Sequence, residues 1–94
     1  MKGKKSKDKK IDVSNVVELM EIVINDTSVP RNIRRAVEEA REKVKEGKEE
    51  SSVNISSAIY VLDDISNDIN MPSHTRTDIW TIISQLEALK EKAK

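Results

Sequence analysis

Asn25-Asp26-Thr27-Ser28-Val29-Pro30-Arg31-Asn32-Ile33-Arg34 is answered 42 residues later by Asn67-Asp68-Ile69-Asn70-Met71-Pro72-Ser73-His74-Thr75-Arg76, with Asn, Asp, Pro and Arg in register. Carried outward, the same offset sets apolar on apolar at Ile11/Val53, Val13/Ile55, Val16/Ala58, Val17/Ile59, Leu19/Val61, Met20/Leu62 and Val23/Ile65. Beyond the phrase it does so again at Val37/Ile79, Ala40/Ile82 and Val44/Leu86. Self-similarity of this kind marks one supersecondary unit used twice.

The unit reads as a helical hairpin. Before the first phrase, Val13, Val16, Val17, Met20, Val23 and Ile24 recur at three- and four-residue steps, the spacing of one helical stripe, which Leu19 and Ile22 widen. Many of these residues are β-branched, so burial rather than intrinsic propensity must hold the helix. A strand would alternate, and this segment does not. Asn25 to Ser28 suits a turn and an N-cap, and Pro30 suits a helix's first turn, where no N–H is lost and φ is already helical. A second helix starting near Val29 or Pro30 then carries Ile33, Val37, Ala40 and Val44 on a narrow stripe, with charge on its other faces.

Residues 47–52 contain Gly47 and no apolar side chain, which makes them the connector between the copies. A third helix, capped by Ser51, Ser52 or Asn54, turns Ile55, Ala58, Ile59, Leu62 and Ile65 inward. A fourth begins around Pro72 with Ile79, Ile82, Ile83, Leu86 and Leu89. Each hairpin alone would leave an apolar stripe in water, so the two must close on each other. The expected fold is all-α, a four-helix bundle of two repeated antiparallel hairpins. Hairpin one spans 11–46 and hairpin two 53–90, in a single domain over 11–94 behind a basic tail at 1–10.

Charge divides the chain unevenly. The tail holds Lys2, Lys4, Lys5, Lys7, Lys9 and Lys10 against Asp8, a net +5, and the remaining residues carry 11 basic and 16 acidic side chains, a net −5. With Met1 its one apolar residue and little else to offset the entropy of ordering, such an arm is expected to be disordered by itself. There is no cysteine, which removes disulfides, thiolate catalysis and Cys-ligated zinc. No apolar run is long enough for a signal peptide or a membrane span, so the expectation is a soluble cytoplasmic protein without a membrane partner.

Proline near the second helix start, an arginine four residues on and the length of the unit resemble a HEAT-type helical hairpin, a family whose stacked hairpins bind proteins. Here only two copies occur, and Asp26 to Arg34 is wider than the usual Asp-to-Arg interval. Val29-Pro30-Arg31-Asn32-Ile33-Arg34-Arg35-Ala36 and Asn70 to Trp80 resemble a small archaeal family of uncharacterised proteins numbered 0147, and the likeness covers nearly all of the chain after the tail. That resemblance implies an all-helical bundle of archaeal cytoplasmic origin. It carries no catalytic residues.

Direct inspection for chemistry gives little. His74 is the only histidine, with Asp78 one helical turn on and Ser73 beside it; without a nucleophile, a second histidine or a glycine-rich turn, it reads as a surface residue at a helix start. Asp63, Asp64, Asn67, Asp68 and Asn70 lack the turn glycine of a calcium loop, and Thr75 stands where the bidentate Glu would be. No phosphate loop or zinc spacing occurs, and no catalytic residue, cofactor or metal is expected. Arg34 and Arg76 occupy equivalent positions, as do Asp26 and Asp68. Each Arg is expected to bridge to its own Asp and tie its hairpin, in preference to Arg31, Arg34 and Arg35 facing phosphate beside Glu38 and Glu39.

The copies disagree at the aromatics. Tyr60 and Trp80 stand where the first copy has Glu18 and Glu38. Each lies ten residues from Asn70 on antiparallel helices, which puts them at similar heights, either flanking the core or forming one patch that meets a protein partner. The functional expectation is therefore a non-enzymatic helical interaction module or scaffold. The alternative is an accessory protein that touches RNA or a ribonucleoprotein through the six lysines of the arm. Partner identity and oligomeric state are not legible in the chain.

Overall fold

The computed structural model describes residues 12–46 and 51–93, and they form four helices: α1 (Ser14–Ile24), α2 (Arg31–Glu46), α3 (Ser51–Ile65) and α4 (Ser73–Ala93). Ser51 and Ser52 open α3 instead of closing the connector, and residues 47–50, Ile11 and the lysine arm lie outside the described residues. Packing runs α1 on α2, α2 on α3, α3 on α4 and α4 on α1. The last of these contacts makes the four helices a closed ring, whereas HEAT-type hairpins stack into an open superhelix.

The core is the set of stripes read from the periodicity. Val16, Met20 and Val23 of α1, Ile33, Val37, Ala40 and Val44 of α2, Ile55, Ala58 and Leu62 of α3, and Ile79, Ile82 and Leu86 of α4 are all buried. Val13, Val17, Leu19, Ile24, Ile59, Ile65, Ile83 and Leu89 pack at their margins. Ile22, expected to widen the first stripe, instead faces solvent. Two residues on from Met20, it is turned roughly 200° around the helix, where no neighbouring helix lies.

Backbone bonds at the two short turns recur at the same 42-residue offset. Asp26 N–H donates to Val23 O (3.2 Å) as Asp68 N–H does to Ile65 O (3.0 Å), and Val29 N–H to Asp26 O (3.0 Å) as Met71 N–H does to Asp68 O (3.2 Å). Pro30 and Pro72 sit one place before the first helical residue, a position earlier than expected. Their carbonyls accept from Arg34 (3.1 Å) and Arg76 (3.0 Å), so each proline starts the ladder as an N-cap does. The side chains just before them, Val29 and Met71, fold under and plug that end of the bundle.

Candidate functional site

Both turns lie at one end of the bundle, because α1 and α3 run toward it and α2 and α4 away from it. There the hairpins exchange side chains. Asn32, second residue of α2, donates from Nδ2 to Asp68 Oδ2 at 2.8 Å, and His74, second residue of α4, places Nε2 3.2 Å from Asp26 Oδ2. Asn32 and His74 are equivalents in the two copies, as are Asp26 and Asp68. Each helix start thus reaches the other hairpin's carboxylate. His74 meets a partner 48 residues away in sequence and not its helical neighbour Asp78.

The arginines do not bridge to the aspartates as expected. Arg34 Nε donates to Val29 O at 3.0 Å, and the Arg76 guanidinium donates to Ser66 O and, at 3.2 Å, to Asp68 O. Both ties close their own turn, but on backbone carbonyls. The physical reason is competition: the carboxylates are already committed. Asp26 Oδ1 accepts from Ser28 N–H (2.9 Å) and Ser28 Oγ–H (2.7 Å), and Asp68 Oδ1 accepts from Asn70 N–H (2.8 Å). Turn carbonyls, which no helical ladder pairs, also require donors.

These bonds shift the acids. Ser28, through its hydroxyl and then its amide, and after them His74 hold the Asp26 carboxyl at about 2, below its ordinary value of 3.8. Asn70 N–H and then Asn32 lower Asp68, and Ser14 lowers Asp12 through the same Asp-x-Ser geometry. A depressed carboxyl contributes stability that is complete above its unfolded value and is lost as pH falls through the folded one. The Asp26 turn is therefore expected to hold at pH 5 and to loosen between about pH 4 and pH 2. The Ser28 amide proton shift followed by NMR through that range checks it; a midpoint near 4 would show that the bonds do not act in solution.

The two aromatics project outward but into different surroundings. Tyr60 lines an open cleft of about 610 Å³ between α3 and α2, with Val53, Val61, Ser52, Ser56 and Ser57 on one wall and Glu39 and Lys43 on the other. Trp80 stands exposed on α4 and does not line that cleft.

On α2 the cleft adjoins, at Glu39, a smaller depression lined by Arg31, Asn32, Arg35, Ala36 and Glu39. Arg31, Arg34 and Arg35 begin this helix with no acidic residue in its first turn. The like-charged pair Arg31 and Arg35, one turn apart, costs a few tenths of a kcal/mol. Sequence reading set this row aside because Glu38 and Glu39 are near. Glu38, however, turns away with Glu42 and Glu21 toward Arg41, at 3.9, 3.2 and 3.4 Å.

Among the described residues no group of three or more His, Cys, Asp or Glu side chains is placed to hold a metal ion, and no helix is long and apolar enough to cross a membrane. Asp63 and Asp64 point to solvent, and Asp68 is engaged as described, so the acidic loop does not converge on a cation.

Comparison with known proteins gives the same architecture. A UPF0147 protein of Methanocaldococcus jannaschii is 53% identical over 78 residues, covering 83% of this chain and 84% of its own length. One from Sulfurisphaera tokodaii is 39% identical over 84 residues, covering 89% and 94%. The crystal structure of a UPF0147 protein from Thermoplasma acidophilum superposes with a TM-score of 0.76 at 36% identity, covering 80% of this chain and 88% of that one. That of the unknown function protein MMP1188 superposes with the same score at 44% identity, covering 93% and 96%. The model of the Uncharacterised protein family (UPF0147) matches residues 1–89, and this chain belongs to that family.

Proposed function

We propose that the protein is a small non-enzymatic interaction module of the cytoplasm, meeting a partner protein through the outward face of its second hairpin. One observation carries this reading. Five large apolar side chains stand exposed among the described residues, Ile22 (61%), Val53 (57%), Tyr60 (74%), Ile69 (91%) and Trp80 (61%), and four of them are on the second hairpin. Singly exposed apolar residues are ordinary, but tyrosine and tryptophan concentrated on one half of a charged molecule are the residue types that anchor protein contacts. The cysteine-free composition fits the cytoplasm.

Affinity capture from an archaeal extract tests it with the parent chain and Trp80→Ala. A specific partner is expected to be retained by the parent and lost with Trp80→Ala while circular dichroism stays the same. An unchanged set of captured proteins would end the proposal for Trp80. The charge asymmetry of the sequence supports a second reading, in which Lys2, Lys4, Lys5, Lys7, Lys9 and Lys10 hold the protein on RNA. Replacing all six by serine then weakens RNA association and flattens its salt dependence, and leaves the protein partner in place.

A further inference from the structure

We infer that the trough along the α2–α3 seam is a binding site for single-stranded RNA, with Arg31, Arg35 and Lys43 on the phosphates and the Tyr60 ring under a base. This goes beyond the protein contact: it shares Val53 and Tyr60 with that surface but uses neither Trp80 nor the lysine arm. The cleft and the depression adjoin at Glu39, which lines both. Along it Arg31, Arg35, Glu39 and Lys43 follow one another at steps of four residues. Each step advances the row by roughly 40° around the helix, which winds it across the outer face of α2 toward α3 over roughly 18 Å.

Three observations point to a polyanion. None of the three cations makes an ion pair or side-chain hydrogen bond with a described residue, although Arg41 on the opposite flank gathers Glu21, Glu38 and Glu42. Negative charge on α2 is thereby drawn toward α1 and leaves the row with one carboxylate, Glu39, against three cations. The second hairpin supplies the control. At the 42-residue offset the same row reads Ser73, Thr77, Thr81 and Gln85, uncharged throughout, while the buried positions Val37, Ala40 and Val44 remain apolar as Ile79, Ile82 and Leu86. The hairpin folds without the charges, so folding does not explain them.

Choice among polyanions follows from the other wall. Tyr60 offers an exposed ring, and the hydroxyls of Ser52, Ser56 and Ser57 line the same cleft. A base stacks on such a ring whatever its identity, and hydroxyls reach the ribose 2′-OH. An acidic protein segment would use the cations and leave this combination idle.

Fluorescence anisotropy of a labelled twelve-nucleotide uridine RNA tests the site on the full chain. A variant with the six arm lysines replaced by serine is expected to keep binding, with log K falling against log salt at a slope of about −2, the value for three phosphate contacts. In that background Arg35→Ser should reduce the slope by about 0.7, and Tyr60→Ala should weaken binding about 5-fold or more, while Trp80→Ala changes neither. Each variant is checked by circular dichroism and melting. Loss of all binding with the lysines, indifference to both Arg35→Ser and Tyr60→Ala, or equal binding of a polyglutamate peptide at this surface would each overturn the inference.

Discussion

Leu62→Ala is expected to lower the melting temperature by about 10 °C or more. Leu62 is fully buried in the last turn of α3, the helix that packs on both α2 and α4. Truncating such a side chain removes its transfer free energy and leaves a void the bundle fills only in part, a cost of about 2–5 kcal/mol. Domains of this size hold about 5–15 kcal/mol in total, and each kcal/mol moves the midpoint by about 4–8 °C. Ile22→Ala is the matched control: an isoleucine of the first hairpin, expected in the core and found facing solvent, should move the midpoint by less than about 2 °C. Thermal melts of the two variants side by side decide it, and equal shifts would mean that the helix faces are wrongly assigned.

The second large effect is expected at Arg76. Its guanidinium closes the α3–α4 turn on two carbonyls, whereas Arg34 closes the α1–α2 turn on one. Removing a charged donor from part-buried carbonyls costs about 1.5–3 kcal/mol, so Arg76→Ala should unfold several degrees below the parent and below Arg34→Ala. Arg76→Lys should not restore it, because an ammonium lacks the fork that reaches both oxygens. A carboxylate bridge would behave differently. It would be screened by salt, whereas the carbonyl ties should respond to salt only weakly. Melts in low and high salt separate the two cases.

The arginine ties show how far a sequence can be read. Periodicity and the repeated phrase identify Arg34 and Arg76 as equivalents that fasten a turn, because equivalence is visible in one dimension. What they fasten to is not visible. Asp26 and Asp68 are the oppositely charged residues nearest in the repeat, yet Ser28 and Asn70 reach them first through two-residue loops, and the guanidinium groups take carbonyls of the turns. The reciprocal bonds from Asn32 to Asp68 and from His74 to Asp26 are likewise out of reach of spacing arguments. A sequence signal did exist for the apolar plugs Val29 and Met71, an apolar pair at the repeat offset, but it falls outside the helical stripes.

The trough along α2 illustrates the same divide. On paper Glu38 and Glu39 cancel Arg31 and Arg35. In three dimensions Glu38 belongs to the group around Arg41, and the row that remains is cationic. Tyr60 and Trp80, counted from Asn70, promise a shared height. Height along an axis says nothing of rotation about it: Tyr60 lines the α2–α3 cleft, and Trp80 does not.

Sequence alone determined the helices, their core stripes and their closure as two hairpins, since apolar periodicity is local and burial must satisfy it wherever the chain goes. The exchange of polar partners between the turns, the carbonyl targets of the arginines and the cations left without a partner among the described residues along the α2–α3 seam were decided only by the tertiary structure. Hydrogen bonds and ion pairs fall off within a few ångströms, so each partner is chosen by which groups the packed helices bring near, among several that the sequence leaves equally eligible.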